Sequence, residues 1–509
     1  MAVMEFALHI LGGFAALTDP TVLFYMIVGF LIGTFFGAVP GLTAVLAIAL
    51  LLPITYSLDV TAALVMCASI FMSGMYAGSI TATTINIPGA PSSMMTGVEG
   101  YPLMQQGHGA NALGHAALGS MVGGTIGAIF LILFTPVAAS LALLIQTPGK
   151  FSLILFALVV IGISQRGAIA KSVVTTALGV MIATIGIDVM QPVARFTFGT
   201  STLVEGIGLM SVVIGTFAIS ELLIQARDVM HARTVDKEHV ARLTIKRRDF
   251  VPLLAEIREI GVWTYLKSAI IGFFIGVLPG AGGSMAAFVS YADAMRRSKR
   301  PELYGKGSRE GIAAAETANN SMCGGAFVPM LMFGIPGDPT TAIVLGVLII
   351  NGLQPGPRLL DNQIDMIAPM FASLLMSALI LIPVTLYLLG PYFVRIVSIR
   401  KALLYSSIAV VALVGSYVAT FSSFQMLLAL VFGIIAFFLR TAGYPTVTLL
   451  LGFILGPDLE QYLRRSLQLA KGDPTTFLTS PDSLFFLVLT ALFFYFMVIK
   501  PPRTPATAS

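Results

Sequence analysis

Apolar stretches long enough to cross or deeply enter a lipid bilayer recur along the whole chain, separated by short polar breaks. They lie near 21–39, 41–57, 60–85, 111–135, 151–165, 169–190, 203–225, 263–279, 281–295, 311–335, 364–392, 402–420, 424–439, 443–457 and 483–499. A full crossing needs about 20 residues, so the shorter runs read as half-helices or re-entrant segments. The pattern predicts roughly 10–13 crossings, with the remaining segments as hairpins.

Composition assigns the environment. Of 509 residues 57% are hydrophobic and only 10% are charged, where soluble domains carry about 25% charge. The mean hydropathy of +0.92 agrees. A soluble fold of this length has too few charges to cover its surface, whereas a lipid-facing one needs few. The net charge of +5 does not indicate a nucleic-acid partner, because Lys and Arg sit in short loops between apolar runs, as orientation signals do. Two cysteines, Cys67 and Cys323, lie in apolar runs and offer no disulfide framework or metal cluster. The start of the chain carries Glu5 rather than the basic flank of a cleaved signal, and residues 2–17 read as a short interfacial helix.

The longest polar stretch, 227–262, holds Arg227, Arg233, Lys237, Arg242, Lys246, Arg247, Arg248 and Arg258. It reads as a partly helical cytoplasmic connector between a first membrane repeat, 1–226, and a second, 263–500, with a tail at 501–509. The basic loop from Arg296 to Arg309 and the tail with Lys500 and Arg503 belong on the same side. Trp263 starts a segment, where an interfacial aromatic belongs.

The two parts share motifs. Residues 33–47 align with 272–286: Gly33, Phe35, Gly37, Pro40, Gly41 and Ala47 meet Gly272, Phe274, Gly276, Pro279, Gly280 and Ala286. Further on, Ile87-Pro88-Gly89-Ala90-Pro91-Ser92-Ser93 meets Ile335-Pro336-Gly337-Asp338-Pro339-Thr340-Thr341. Two motifs in the same order indicate a duplicated half. Glycines four apart make a smooth helix ridge for close packing in lipid. Pro-Gly then breaks the helix, and freed backbone groups in a bilayer must face protein, water or ligand. Paired interruptions of this kind point to a transporter's binding site. The second Pro-Gly hairpin, 263–295, is flanked by basic loops. The first, 21–57, is flanked by Asp19 and Asp59, with no Lys or Arg before Lys150. The copies then enter from opposite faces. The expected fold is therefore an all-α polytopic membrane protein with two inverted-topology repeats, Pro-Gly-broken helices and re-entrant helical hairpins.

Gly33 to Thr43, Tyr76-Ala-Gly-Ser79, Asn86-Ile-Pro-Gly-Ala-Pro-Ser-Ser93, Glu99-Gly-Tyr-Pro102, Arg195-Phe-Thr-Phe-Gly199, Gly276-Val-Leu-Pro-Gly-Ala-Gly-Gly-Ser284 and Phe333-Gly-Ile-Pro-Gly-Asp338 resemble the large membrane subunit of the tripartite tricarboxylate transporter family. The resemblance runs from about residue 20 to the last span. It implies a bacterial inner-membrane permease working with a small membrane subunit and a periplasmic solute-binding protein. Carboxylate uptake would be driven by an ion gradient, with an elevator-like motion. In one departure, the loop after Pro102, often basic in the family, reads Leu-Met-Gln-Gln-Gly-His here.

The candidate substrate residues follow from the breaks. Pro40, Gly41, Leu42 and Thr43, with Pro279, Gly280, Ala281, Gly282, Gly283 and Ser284, place backbone amides toward a carboxylate, and the Thr43 and Ser284 hydroxyls add donors. Pro88, Gly89, Ser92 and Ser93 face Pro336, Gly337, Thr340 and Thr341 as the second broken helix of each half. Coupling-ion candidates are Asn86, Asn319, Asn320 and Asp338, with sodium as the possible ion. The blander readings are helix packing for Gly and Pro, kinks for the breaks, capping for Asp338 and interhelical hydrogen bonds for the asparagines. Asp188, Arg195 and Glu205 read as a loop tie, and His115 as a packing residue.

A gradient-driven transporter subunit is the leading function class. An ATP-driven permease is the second, although the chain lacks a Walker A pattern, and Gly305-Lys-Gly-Ser308 lacks its upstream spacing. A passive anion channel and a membrane-embedded enzyme are further classes, the latter without a catalytic constellation. No cofactor is expected, and a homodimer is possible. Few Lys or Arg lie within the spans, so helix N-termini and bound cations are expected to balance substrate charge.

Overall fold

The computed structural model describes residues 3–164, 168–231, 247–396 and 401–499. The centre of the connector, with Arg233, Lys237, Arg242 and Lys246, and the tail, with Lys500 and Arg503, lie outside them. The first part contains α1 (Val3–Ala16), α2 (Pro20–Ala38), α3 (Ala44–Ser57), α4 (Val60–Ile85), α5 (Met94–Gln105), α6 (Gly109–Leu144), α7 (Thr147–Ser164), α8 (Ile169–Ala183), α9 (Leu209–Val213) and α10 (Ser220–His231). The second contains α11 (Leu254–Ile260), α12 (Val262–Val277), α13 (Gly282–Arg297), α14 (Arg309–Phe333), α15 (Pro339–Ile350), α16 (Pro357–Asn362), α17 (Ile364–Met376), α18 (Ile382–Ile396), α19 (Lys401–Thr420), α20 (Ser423–Thr441), α21 (Thr446–Leu469), α22 (Thr476–Thr479) and α23 (Pro481–Phe494). Among the described residues the sheet is a single two-stranded ladder, β1 (Gly186–Ile187) with antiparallel β2 (Ala194–Arg195).

Local sequence sets the helix ends. Asp19 caps α2, accepting from the Thr21 and Val22 amides at 2.8 and 3.2 Å, with Pro20 in the first turn. Asp59 caps α4 and Ser308 caps α14. Both long helices stop at a left-handed residue, Asn86 (φ 56°) and Gly334 (φ 68°), immediately before the Ile-Pro-Gly motif. Thus the motifs recur structurally: each follows the end of a buried helix.

Eight helices are long and apolar enough to cross a membrane among the described residues, or nine if a bent pair counts as one span. This is fewer than the roughly 10–13 expected from apolar run length. Helix breaks are one reason: runs such as 41–57 and 169–190 form shorter apolar helices. The bent pair joins Arg247–Ile260 to Val262–Val277 at 94°, with Gly261 at φ 80° making the turn. α11 therefore lies across the axis of α12, and Trp263 is exposed at the bend. The N-terminal helix α1 does more than lie at an interface, because Phe6 and Ile10 are buried and Gly13 packs on Ala368 of α17.

Small residues set the helix spacing. In α2, Gly33 and Gly37 lie against Ile70, Ser73 and Gly74 of α4; in α12, Gly272 and Gly276 lie against Ala318 and Met322 of α14. Gly89 packs on the Gly37 carbonyl, and Gly337 packs on the Gly276 carbonyl. The two halves therefore repeat one three-body contact. α6 joins them through Gly123 and Gly127, which meet the Thr317 and Ser321 carbonyls of α14. Outside this core, α23 exposes Phe485, Val488 and Leu492, as a lipid face requires.

A first prediction follows. Gly123→Ala places a methyl on the Thr317 carbonyl oxygen of a neighbouring helix. Forced separation of packed helices is expected to cost about 1–3 kcal/mol. Thermal unfolding of the detergent-solubilised protein should show a clear fall in midpoint; an unchanged midpoint would refute tight α6–α14 packing.

Candidate functional site

Both Pro-Gly breaks and both Ile-Pro-Gly breaks meet at one cavity of about 1090 Å³, the first Ile-Pro-Gly break through Ala90, Pro91 and Ser92. In the first break, Gly41 takes φ +90°, and the chain re-enters a helix at Thr43. The Thr43 Oγ1 accepts from the Leu46 amide at 3.3 Å, so its oxygen caps α3 while its proton stays available. In the second break, Gly280 and Gly282 take φ +70° and +64°, values that exclude most other residues. The third begins at Asp338, which caps α15 through the Thr340 amide at 2.8 Å.

The cavity is therefore lined by the first turns of three helices, α3 from the first half and α13 and α15 from the second. Each presents free amide groups and partial positive charge. Their capping differs. α3 and α15 have side-chain caps, whereas α13 has none. Its start, at Gly282-Gly283-Ser284, has no side-chain hydrogen bond to its first amides.

Not every candidate residue reaches this space. Thr43, Ser92, Gly280, Ala281, Gly282, Gly283, Ser284, Asp338 and Thr340 line it. Pro40, Gly41, Leu42, Pro88, Gly89, Ser93, Pro279, Pro336, Gly337 and Thr341 do not. Leu42 is buried in an apolar cluster with Val39 and Ala412. Gly89 and Gly337 serve helix packing, as above. Thr341 spends its hydroxyl within the chain, donating to the Asp338 carbonyl at 2.8 Å and accepting the Asp338 amide at 3.0 Å.

The ion candidates also separate. Asn86 closes α4 away from the cavity. Asn320 donates to the Met72 carbonyl at 3.1 Å, and Asn319 donates to the Met75 carbonyl at 3.2 Å, so both tie α14 to α4. The Asn319 Oδ1 and Ser92 Oγ are buried without a hydrogen-bond partner. Both residues crowd Gly283: a side-chain carbon there would stand 2.5 Å from Asn319 Oδ1 and 3.0 Å from Ser92 Cβ. At Gly282 the corresponding point is 3.2 Å from Asp338 Oδ2. Three oxygen-bearing side chains thus gather at the start of α13.

Three groups were not selected by sequence reading. Arg440, at the end of α20, lines the cavity and pairs with Glu221 at 2.6 Å. Its only sequence signal is a cation just past an apolar run. Glu316 is fully buried in α14 and accepts from Thr96 and Ser120. Glu99 is buried too, accepting the Gly305, Gly307 and Ser308 amides at 2.6, 2.9 and 2.8 Å and the Tyr291 hydroxyl. The loop with the incomplete phosphate-loop pattern thus cradles the protein's own carboxylate.

The loop tie is present away from the cavity. Arg195 holds Glu460 through two bonds, at 2.7 and 3.1 Å, and Asp188 at 3.1 Å; Arg464 reaches both acids, at 2.6 and 2.8 Å. Glu205 instead lines a separate cavity of about 260 Å³. The Arg464 guanidinium, followed by the Met190 amide, holds the Asp188 carboxyl down to about 2. A lowered folded value means its contribution is complete above the unfolded carboxylate range and fades as pH falls toward 2. The hairpin is therefore expected to stay docked from pH 8 to pH 5, and the double change Arg195→Gln with Arg464→Gln should release it throughout. Proteolysis within 189–194 is the readout, and equal cleavage of both proteins at pH 7 would contradict it.

His115 is an interface residue, its Nε2 3.2 Å from Glu256 Oε2. Lys267 of α12 meets Asp293 of α13 at 2.9 Å, so the outer ends of these two helices lie together.

Comparison with known proteins completes the description. Residues 23–451 match the tripartite tricarboxylate transporter TctA family. An uncharacterized 52.8 kDa protein in the TAR-I ttuC' 3' region of Agrobacterium vitis is 34% identical over 469 residues, covering 92% of this chain and 91% of that protein. A second uncharacterized Agrobacterium vitis protein, in the TAR-II ttuC' 3' region, is 37% identical over 210 residues, covering 41% of this chain and 86% of its own length. No solved structure matches this chain.

Proposed function

The chain belongs to the tripartite tricarboxylate transporter TctA family, and on that premise we propose that it binds small carboxylates at the start of α13 and imports them by alternating access. The family makes it a multi-pass permease subunit acting with a second membrane subunit and a binding protein. The finer reading places it in a bacterial inner membrane, receiving substrate from a periplasmic binding protein.

One observation carries the substrate assignment: three helix first turns share a cavity, and the Gly282-Gly283-Ser284 turn alone lacks a side-chain cap. A carboxylate there accepts backbone N–H bonds in a setting that favours negative charge. Ser284 adds a hydroxyl. The oxygens of Asp338, Asn319 and Ser92 around Gly282 and Gly283 suit a hard cation such as sodium. A cation bound there raises the positive potential felt by the substrate and so couples the two.

The recurring three-body contact supports a duplicated fold, and the paired outer ends of α12 and α13 support a re-entrant hairpin. With inverted topology, the two halves move the cavity between faces in an elevator-type cycle. Cysteine labelling at residues 19, 59, 240 and 303 tests this, and labelling of all four from one side would sink it.

The decisive experiment is uptake of radiolabelled carboxylates into proteoliposomes containing both membrane subunits, with and without the binding protein, under an imposed sodium or proton gradient. Binding-protein-dependent accumulation is expected. ATP-restored uptake would favour an ATP-driven permease, and downhill flux alone would favour a channel. Asp338→Asn should raise the cation concentration for half-maximal uptake at least about 10-fold. An unchanged cation dependence would remove Asp338 from the ion site.

A further inference from the structure

We propose that Arg440 receives a second substrate carboxylate, that Glu221 holds it in reserve, and that the pair makes the cavity select substrates with two or more carboxylates. The proposal rests on the reading that a carboxylate occupies the start of α13.

A helix N-terminus carries only about half a positive charge, which suits one carboxylate and leaves a second without compensation. Among the described residues lining the cavity, Arg440 is the one cation, facing a space that also contains the acids Glu221 and Asp338. Arg440 Nη2 lies 2.6 Å from Glu221 Oε2, and Nη1 donates to Ser220 Oγ at 3.2 Å. The arginine side chain is 31% exposed. Partly hydrated ion pairs contribute little net free energy, so a substrate carboxylate can displace Glu221 and take the guanidinium in a two-point contact. Lys171 is engaged elsewhere, donating to the Ala442 carbonyl at 2.6 Å and lying over the Tyr444 ring.

Glu221 does not become an isolated acid when displaced. Its Oε1 accepts from Gln225 Nε2 at 2.7 Å. The Gln225 carboxamide in turn accepts from the Tyr405 hydroxyl at 2.9 Å and packs directly on Gly41. Exchange at Arg440 is thereby linked to the Pro40-Gly41 break of the first half. A substrate's second charge is felt at a helix interruption, where the chain can change direction.

The test is equilibrium binding to the full-length chain in lipid nanodiscs by titration calorimetry, at one saturating sodium concentration. Acetate, succinate and citrate serve as one-, two- and three-carboxylate probes. Arg440→Gln is expected to weaken succinate and citrate about 10- to 100-fold, as loss of a charge-assisted two-point contact implies, and acetate less than about 3-fold. Arg440→Lys should fall between. Glu221→Gln removes the internal competitor and should tighten succinate about 3- to 10-fold without changing acetate. The proposal is overturned if Arg440→Gln binds all three like the parent, if it loses all three equally while Arg440→Lys does the same, or if Glu221→Gln weakens succinate. Binding requires no flux. The expected pattern in a chain that accumulates nothing in vesicles would overturn the transport reading while keeping this assignment.

Discussion

Gly283→Ala abolishes uptake while leaving the protein in the membrane: this is the expected result of the smallest possible change at the start of α13. The new methyl would stand 2.5 Å from Asn319 Oδ1, 2.7 Å from Met75 Cε and 3.0 Å from Ser92 Cβ. Met75 can yield because its side chain is flexible. Asn319 cannot yield easily, since its amide is fixed on the Met75 carbonyl. The first turn of α13 must then shift by several tenths of an ångström, moving its free amides away from the proposed substrate position and Gly282 away from its place beside Asp338. Misplacement on this scale costs about 100-fold in rate. Gly12→Ala is the matched control, because nothing lies within 4 Å of its added carbon and its backbone is ordinary helix. Initial uptake rates normalised to membrane-inserted protein should separate the two. Gly283→Ala at more than half the parental rate would remove the start of α13 from the substrate path.

How much of this was legible depends on the range of the interaction. The breaks at Pro40-Gly41 and Pro279-Gly280 are local, because proline and glycine act on their own backbone; sequence located both. The pairing of Gly37 with Gly89, and of Gly276 with Gly337, was hinted at by the repeat, although sequence assigned Gly89 and Gly337 to substrate rather than packing. Thr341 illustrates the same limit. A hydroxyl beside a helix break looks available, but Asp338 three residues earlier captures it in a reciprocal cap. The expected number of crossings exceeds the eight or nine long apolar helices among the described residues, because hydropathy records apolar length and not the point where a helix turns. Arg440–Glu221 joins residues more than two hundred positions apart, and no periodicity encodes such a pair. The expectation that helix ends and bound cations balance substrate charge was formed without the arginine that the fold brings to the cavity wall.

Glu99→Ala is expected to unlock the loop between α13 and α14. The carboxylate is fully buried and accepts from the Gly305, Gly307 and Ser308 amides as well as from Tyr291. Successive backbone N–H groups folded around an anion form a concave nest, and here the anion comes from the other half of the chain. Gly305 and Gly307 adopt φ +78° and +113° to close it. Removing the acceptor strands several donors in a dry site, each with a penalty of about 1–3 kcal/mol when buried. Water entry on loop opening relieves part of that, so a net loss of about 3 kcal/mol is expected. Glu99→Gln keeps the shape but loses charge and presents an amide N–H toward donors, so rescue should be partial. Cysteine at Lys306 reports the state of the loop through its rate of thiol labelling. Fast labelling and early unfolding in Glu99→Ala, with Glu99→Gln intermediate, would establish the carboxylate as the clasp joining α5 to the entry of α14. Unchanged labelling in both variants would mean that the aromatic contact between Tyr291 and Tyr304, with ring centres 5.2 Å apart, holds the loop without it.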